Sequence, residues 1–344
     1  MQRQWFVILL VAMILCLVTA CSRPSYQVIY QEETTVQSVN QPQNNDYTIA
    51  VIPKLEGIPY FDAAEKGAIE AAEALGVNLI YEGPSVASAE KQIEIFREMI
   101  EMDVDAIAIA ANDPGRLGQV MLEAINNGIQ VITWDSDTDP QYRSFFVNMV
   151  DPEWMGRHIM DLLAEQMEEK GDYAIISGSQ DAANLNEWIK WFTIHQEEFY
   201  PNMSLRTFKY ANEDFQTAYQ KTVDILQDYR DVEGIIGIST VNPPAISEAL
   251  LDYGKEGEIA VVGTSTPNLM REYLKKDIAH TMTLWSPQKL GYLTVVLAEQ
   301  LIRGEMPSDG QSIPDIGRIE FKDRIVIMGQ PIDFTKENVD QYDF

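Results

Sequence analysis

The sequence predicts an α/β fold of two doubly wound parallel-sheet lobes joined by a hinge, and three observations carry that prediction. Short apolar runs rich in β-branched residues alternate with helix-period patterns from residue 47 to the end. Several of these runs, such as DAIAIAA (105–111) and EIAVVG (258–263), are apolar throughout, as strands covered by helices on both faces are. The alternating part is roughly 300 residues long, about twice the usual size of one core, so two lobes of about 150 residues are expected.

The first twenty residues stand apart from this rhythm. Arg3 gives a basic start, an unbroken apolar stretch runs from Trp5 to Ala20, and small residues precede Cys21 in LVTAC. This pattern is a secretory signal, and it resembles the bacterial lipoprotein signal, in which the Cys is lipidated and becomes the new N-terminus. A permanent membrane helix is the competing reading, but the 16 residues from 5 to 20 fall short of the about 20 that a span needs. The following SRPSYQVIYQEETTVQSVNQPQNND (22–46) is polar and without helical period, which suits a flexible tether.

The elements then follow in order. The run 47–54 is a strand, and the Ala-rich segment 61–76 is a helix stopped by Gly76. Strands are expected at 77–83, 104–111, 129–135 and 143–150. The helix at 87–102 places Ile93, Phe96 and Ile100 on one face, and a further helix covers 115–127. The second half gives a long helix over 152–171 and strands at 172–178, 205–210, 232–239, 258–266 and 279–285. Helices are expected at 188–199, 215–229, 245–253, 269–276 and 287–303, and the chain ends in short β-like runs. The expected organisation is a signal peptide over 1–20, the lipidated Cys21 and tether over 21–46, a first lobe of 47–150 plus 286–320, and a second lobe of 151–285 plus 321–344.

Composition excludes several classes. The 53 acids against 25 bases give a formal charge of −28, which leaves nothing to neutralise phosphates and argues against nucleic acid. Of the two Cys, only Cys21 survives cleavage, so neither an intrachain disulfide nor a Cys-based metal site is expected. His158, His195 and His280 lack partners at metal-ligand spacing. No cofactor is implied, because no G-x-x-x-x-G-K-[ST] occurs and no G-x-G-x-x-G follows a strand.

In doubly wound sheets, ligands sit at the carboxyl ends of the strands. Here those ends carry Pro53-Lys54, Ala111-Asn112-Asp113 and Trp134-Asp135-Ser136-Asp137. In the second half they carry Ser177-Gly178-Ser179, Ser239-Thr240-Val241-Asn242, Thr264-Ser265-Thr266 and Trp285. Hydroxyls, amides, carboxylates and aromatic rings together suit a small polyhydroxylated molecule, whose hydroxyls hydrogen-bond planar polar groups and whose C–H faces pack on rings. The acids would repel an anion.

From about residue 47 to 344 the sequence resembles the sugar-binding proteins of ABC transporters, of the ribose-binding type, and within them the autoinducer-2-binding and rhamnose-binding branch. The motifs are VIPKLEGIPYFDAA, YEGPSVAS, QVITWDSDTDPQYRSFFVN, VVGTSTPNLMR, TLWSPQKLG, IPDIG and the terminal VDQYDF. The resemblance implies the type I periplasmic binding protein fold and ligand contacts from Lys54 and Asp135, with Trp134 bracing Asp135 or facing the cleft. Asp137 is expected behind the contact layer or as a cap. The branch's Asp-Gln pair before a second-lobe helix reads Asn184-Leu185 here, and its Pro-Asp-Ala step reads Ile238-Ser239-Thr240, so specificity has shifted and a deoxyhexose such as rhamnose is preferred over autoinducer-2. The broader family adds Tyr60 and Phe61, and polar or aromatic contacts matching Asp113, Asn242, Ser265 and Trp285.

Several of these residues have an equally simple structural role. Asn184 and Asn242 fit helix N-caps as well as ligand contacts, and Trp188 and Trp191, spaced i, i+3, fit a core-facing stripe. Asp135 and Asp137 as a glycosidase pair would need a kinked loop to act jointly across one bond. With no G-x-S-x-G and no nucleophile-base grouping, catalysis is not expected. A transcription regulator of similar fold would need a DNA-binding module where the export signal stands. The expected partners are a sugar-like ligand, the subunits of an ABC permease and, through the lipid on Cys21, the outer face of the cell membrane. A sensing role toward a chemoreceptor or sensor kinase is the alternative.

Overall fold

The computed structural model describes residues 47–344; the signal segment, Cys21 and the tether lie outside the described residues. Strands β1 (Thr48–Ile52), β2 (Asn78–Tyr81), β3 (Ala106–Ile109), β4 (Gln130–Trp134) and β5 (Phe146–Asn148) are parallel, in the spatial order β2-β1-β3-β4-β5. Helices α1 (Pro59–Leu75), α2 (Ala89–Glu101) and α3 (Pro114–Asn126) connect the first four. The period-two alternation of side chains divides the apolar strands between two faces. Ala50 and Ile52 of β1 and Ile107 and Ile109 of β3 pack with Phe96 and Met99 of α2 and Leu117 and Met121 of α3. Ile49 and Val51 belong to the opposite core, with Ala64, Ala68 and Ala71 of α1.

The second sheet repeats the plan. Helix α4 (Pro152–Gln166) leads into β6 (Gly171–Ser177), and β7 (Met203–Tyr210), β8 (Val232–Gly237) and β9 (Ala260–Gly263) complete a parallel sheet of order β7-β6-β8-β9. Its connections are α5 (Ala183–Phe199), α6 (Phe215–Asp228) and α7 (Asn242–Asp252), followed by α8 (Pro267–Lys275) after β9. In both lobes the second strand in sequence lies outside the first and the third and fourth follow on the other side. The carboxyl ends are marked alike: Asp113, Asp151, Asp214 and Thr266 each accept a backbone N–H of the helix they cap, and Pro follows at the first helical turn of α1, α3, α4, α7 and α8.

The chain crosses between lobes three times: at 149–151 from β5 to α4, at 285–286 from β10 (Met282–Leu284) to α9 (Pro287–Ile302), and at 328–331 near the end. Helix α9 returns to the first lobe and packs on α1 at backbone distance. A Cβ on Gly67 would stand 1.8 Å from the Gln288 carbonyl oxygen, and one on Gly291 would stand 1.9 Å from that of Ala64, so the seam tolerates only glycine at both positions.

After the short hairpin β11 (Ser312–Ile313) and β12 (Gly317–Arg318), β13 (Glu320–Lys322) and β14 (Ile325–Ile327) return to the first sheet, with β14 parallel to β5 and β13 antiparallel at the edge. This corrects the expected boundary at 320/321: residues 321–327 belong to the first sheet, where the apolar Ile325-Val326-Ile327 covers an edge that β5 would otherwise expose. Only the last stretch lies on the second lobe. There β15 (Ile332–Phe334) pairs antiparallel with β10, and Asp340 reaches Arg271 and Lys275. The fold is that of two doubly wound lobes, as the sequence predicts. Among the described residues no helix is long and apolar enough to cross a membrane.

Candidate functional site

The first lobe contributes the tips of β1 and β4. Pro53 and Lys54 leave β1 in a turn that Gln92 of α2 holds: its amide donates to the carbonyls of Pro53 (2.9 Å) and Ala110 (2.7 Å) and accepts from the Asn112 N–H (2.9 Å). Asn112 in turn donates to the Lys54 carbonyl at 2.7 Å. Every group in this lattice is buried, so each bond both satisfies and fixes its partners. Asp135 follows β4 with φ 58°, in the left-handed region that Asp tolerates better than most residues. That turn separates Asp135 from the strand direction. Lys54 Nζ lies 3.5 Å from Asp135 Oδ2, with both side chains about as buried as core residues.

Tyr60, at the start of α1, donates its hydroxyl proton to Asp135 Oδ1 at 2.7 Å and accepts from Trp285 Nε1 at 2.9 Å. Burial, and then the neighbouring Asp135 charge, push its hydroxyl well above the usual tyrosine range, so it stays a donor. Edge-to-face packing runs through the same residues. Ring centroids are 5.0 Å apart for Tyr60 and Phe61, 6.0 Å for Tyr60 and Trp285, 5.9 Å for Phe61 and Trp134, and 5.6 Å for Trp188 and Trp285. Trp134 is fully buried behind Phe61. Trp285 sits in the second crossing, so this chain of groups reaches the hinge.

The second lobe faces them with α5 and the loops after β7, β8 and β9. Asn184 Oδ1 accepts from Lys54 Nζ at 2.8 Å, a hydrogen bond between lobes. Ser239 stands at φ 107°, its N–H donating to Thr264 Oγ1 (3.1 Å) and its hydroxyl donating to Glu213 Oε2. Burial raises the Glu213 carboxyl above its ordinary range, and Asp135 adds to this, while Lys54 and Ser239 oppose it. Together these residues line one interlobe cavity with Ile58, Leu185, Leu284 and Thr240. The lining mixes an amine, carboxyls, an amide, hydroxyls and aromatic and aliphatic faces.

Of the residues singled out in the sequence, Lys54, Tyr60, Phe61, Asp135, Asn184, Thr240 and Trp285 line this cavity, as does Trp188. Asn184 is not an N-cap: that position in α5 is Ala182. The other four residues stand elsewhere. Asp113 is half-buried and caps α3, accepting from Gly115 and Arg116. Asp137 is held by Arg143 through two bonds of 2.6 Å and faces a neighbouring groove, not the cavity. Asn242 is fully buried at the first turn of α7 and donates to the carbonyls of Ile176 and Ile238. Ser265 donates to the Thr240 carbonyl at 2.6 Å, bracing the loop that lines the cavity. In each case a strand-tip polar group is consumed by the scaffold: backbone groups take Asp113, Asn242 and Ser265, and the Arg143 side chain takes Asp137.

Glu213 was not anticipated. The rule that finds it is the one that found the others: it stands three residues after β7, and that strand end, Ala211-Asn212-Glu213-Asp214, is as polar as the rest.

Comparison with known proteins agrees with this architecture. Residues 49–306 match the family model described as periplasmic binding protein domain. An ABC transporter solute-binding protein from Clostridium phytofermentas, solved with bound L-rhamnose, superposes with a TM-score of 0.82 at 29% identity, over 86% of this chain and 98% of that one. LsrB from Clostridium saccharobutylicum, in complex with AI-2, gives 0.81 at 25% identity over 86% and 100%. The D-ribose/D-allose-binding protein of Pseudomonas aeruginosa is 23% identical over 222 residues, 63% of this chain and 69% of that protein. With a two-lobed fold, strand tips converging on one cavity and a family match over most of its length, the chain belongs to the periplasmic binding protein family.

Proposed function

We propose that this chain is the extracytoplasmic solute receptor of an ABC transporter, held at the cell membrane by a lipid on Cys21. Its lobes close on one neutral, monosaccharide-sized ligand and present it to the permease. The preferred ligand is a deoxyhexose of the L-rhamnose type, ahead of an autoinducer-2-like molecule. The observation that carries this reading is the interlobe set of buried Lys54, Asp135 and Tyr60 with half-buried Asn184 in one cavity. Asp135 accepts from hydroxyls, Lys54 donates to them, Tyr60 holds the Asp135 carboxylate with its one hydroxyl proton, and Trp285 and Trp188 supply faces for C–H groups. Leu185, Leu284 and Ile58 in the lining suit the methyl group of a deoxy sugar, and a relative at 29% identity was solved with L-rhamnose. Closure follows from the ligand's better fit to the closed state than to the open one.

The test is a thermal-shift and titration panel of L-rhamnose, D-ribose, D-arabinose and autoinducer-2 on the mature protein. A ligand at 100 times its dissociation constant stabilises by about 2.7 kcal/mol. Lys54→Ala and Asp135→Ala are expected to remove that shift. A wild type that responds to nothing in the panel, or variants that keep its full response, would overturn the reading.

A further inference from the structure

Resting on that reading, the strained turn after β7 assigns a role to a residue that no motif marks. Asn212 and Glu213 are two successive non-glycine residues in the left-handed region, at φ 54° and 59°. Such conformations are strained and persist where the surroundings over-determine them. Here the surroundings are visible. Asp214 caps α6 by accepting from the Thr217 N–H at 2.7 Å, which anchors the far end of the turn. The near end is tied by the N–H groups of Ala211 and Asn212, donated to the carbonyls of Ser177 and Gly178 at 2.8 and 3.1 Å. The carboxyl of Glu213 lies so close over Gly178 that a Cβ there would stand 2.2 Å from Oε1. Ser239, itself at φ 107°, donates to Oε2. Among the described residues that is the carboxyl's one hydrogen bond, which leaves Oε1 without a donor in a side chain that lines the cavity.

We propose that Glu213 is the specificity-setting contact of the second lobe: its carboxylate accepts a hydrogen bond from a guest hydroxyl and excludes guests that carry a carboxylate or phosphate. The charge balance supports the exclusion. Among the described residues lining the cavity, Lys54, on the turn after β1, is the one cation facing two carboxyls, Asp135 after β4 and Glu213. Asp214, the next residue, spends its carboxylate on the α6 cap. The raised titration range of Glu213 adds a signature. The ionised form is the acceptor, so affinity falls as pH drops through that range.

Titration calorimetry of the mature protein with L-rhamnose, D-ribose and D-galacturonate, from pH 5 to 8, tests this on the wild type, Glu213→Gln, Glu213→Asp and Asp135→Ala. The wild type is expected to bind its best neutral sugar more weakly at the acid end of the series than at pH 8 and to reject galacturonate. Glu213→Gln should weaken the neutral sugar about ten- to a hundredfold, as losing a charged hydrogen-bond partner does, and flatten the pH profile. Glu213→Asp should retain the pH dependence. If Glu213→Gln keeps wild-type affinity and pH profile while Asp135→Ala abolishes binding, the assignment fails and the receptor reading stands. Weakened affinity with the pH profile intact makes Glu213 a packing residue and also overturns the assignment. A wild type that binds no sugar overturns the receptor reading itself.

Discussion

The two halves of the cavity are built by different means. On the first lobe, the functional groups stand on an unstrained turn and a helix start, fixed by buried side-chain hydrogen bonds: Gln92 and Asn112 hold the backbone under Lys54, and Trp285 and Asp135 hold the Tyr60 hydroxyl. Among the described residues, Asp135 is the one first-lobe contact in a left-handed conformation. On the second lobe, Glu213 and Ser239 are aimed by backbone turns in unusual conformations, and they bond mainly to each other and to Thr264. The first half is a lattice in which the charges of Lys54 and Asp135 offset one another; the second is a pair of cocked loops. The difference teaches that side-chain hydrogen bonds fix the first half of the cavity, while backbone turns tied at both ends aim the polar groups of the second.

That contrast can be broken in graded steps. The largest effect is expected from Asp135→Ala, which strips the buried Lys54 of its ionic partner and Tyr60 of its acceptor. Chemical denaturation should show a loss of about 3 kcal/mol, together with loss of sugar binding. Gln92→Ala should cost about 2–3 kcal/mol by leaving two carbonyls and the Asn112 N–H buried and unpaired, and calorimetry should show weaker sugar binding although residue 92 touches no guest. A Gln92→Ala protein with wild-type stability and affinity would mean that the lattice does not position Lys54. Tyr60→Phe should cost about 1–2 kcal/mol, because the Trp285 Nε1–H loses its acceptor.

Asn184→Ala should leave overall stability almost unchanged, with an effect of about 1 kcal/mol on closure alone, since the Lys54–Asn184 bond exists only while the lobes meet. Small-angle scattering should then show a more open ligand-free ensemble. The smallest effect concerns the joint between crossings. Burial alone would raise the Asp333 carboxyl, but the hydrogen bonds from His158 and Thr283 and the charge of His158 outweigh it, and its titration is lowered. A depressed carboxylate contributes stability above its unfolded value and loses it as pH falls through the folded one. Asp333→Asn should therefore lower Tm slightly at neutral pH and flatten the acid limb of a Tm profile below about pH 4.

The same contrast explains what could be read from the sequence. Apolar runs such as AIAI in β3 and AVVG in β9 announce buried parallel strands, and their polar tips are then easy to inspect. Lys54, Asp135, Thr240 and Trp285 were found in that way or by resemblance. Glu213 was not, although the strand end at Tyr210 is placed correctly: β7 lies at the sheet edge, and MSLRTFKY, mostly exposed or half-buried, lacks the apolar run that marks a tip as facing a buried site. Asp113, Asp137, Asn242 and Ser265 show the converse. A carboxylate or amide at a strand tip looks the same in sequence whether it caps a helix, pairs with Arg143 or meets a guest; only the neighbours decide. The tail shows a third gap: nothing local in GRIEFKDRIVI reveals that β14 pairs with β5, since pairing partners far apart in sequence leave no periodic mark.

The most direct test is a crystal structure of the mature protein grown with the sugar that stabilises it most. The account predicts one sugar molecule enclosed between Lys54, Tyr60 and Asp135 on one side and Asn184, Glu213 and Ser239 on the other. A sugar bound elsewhere on the surface, or held by one lobe with the opposing loops turned away, would contradict it.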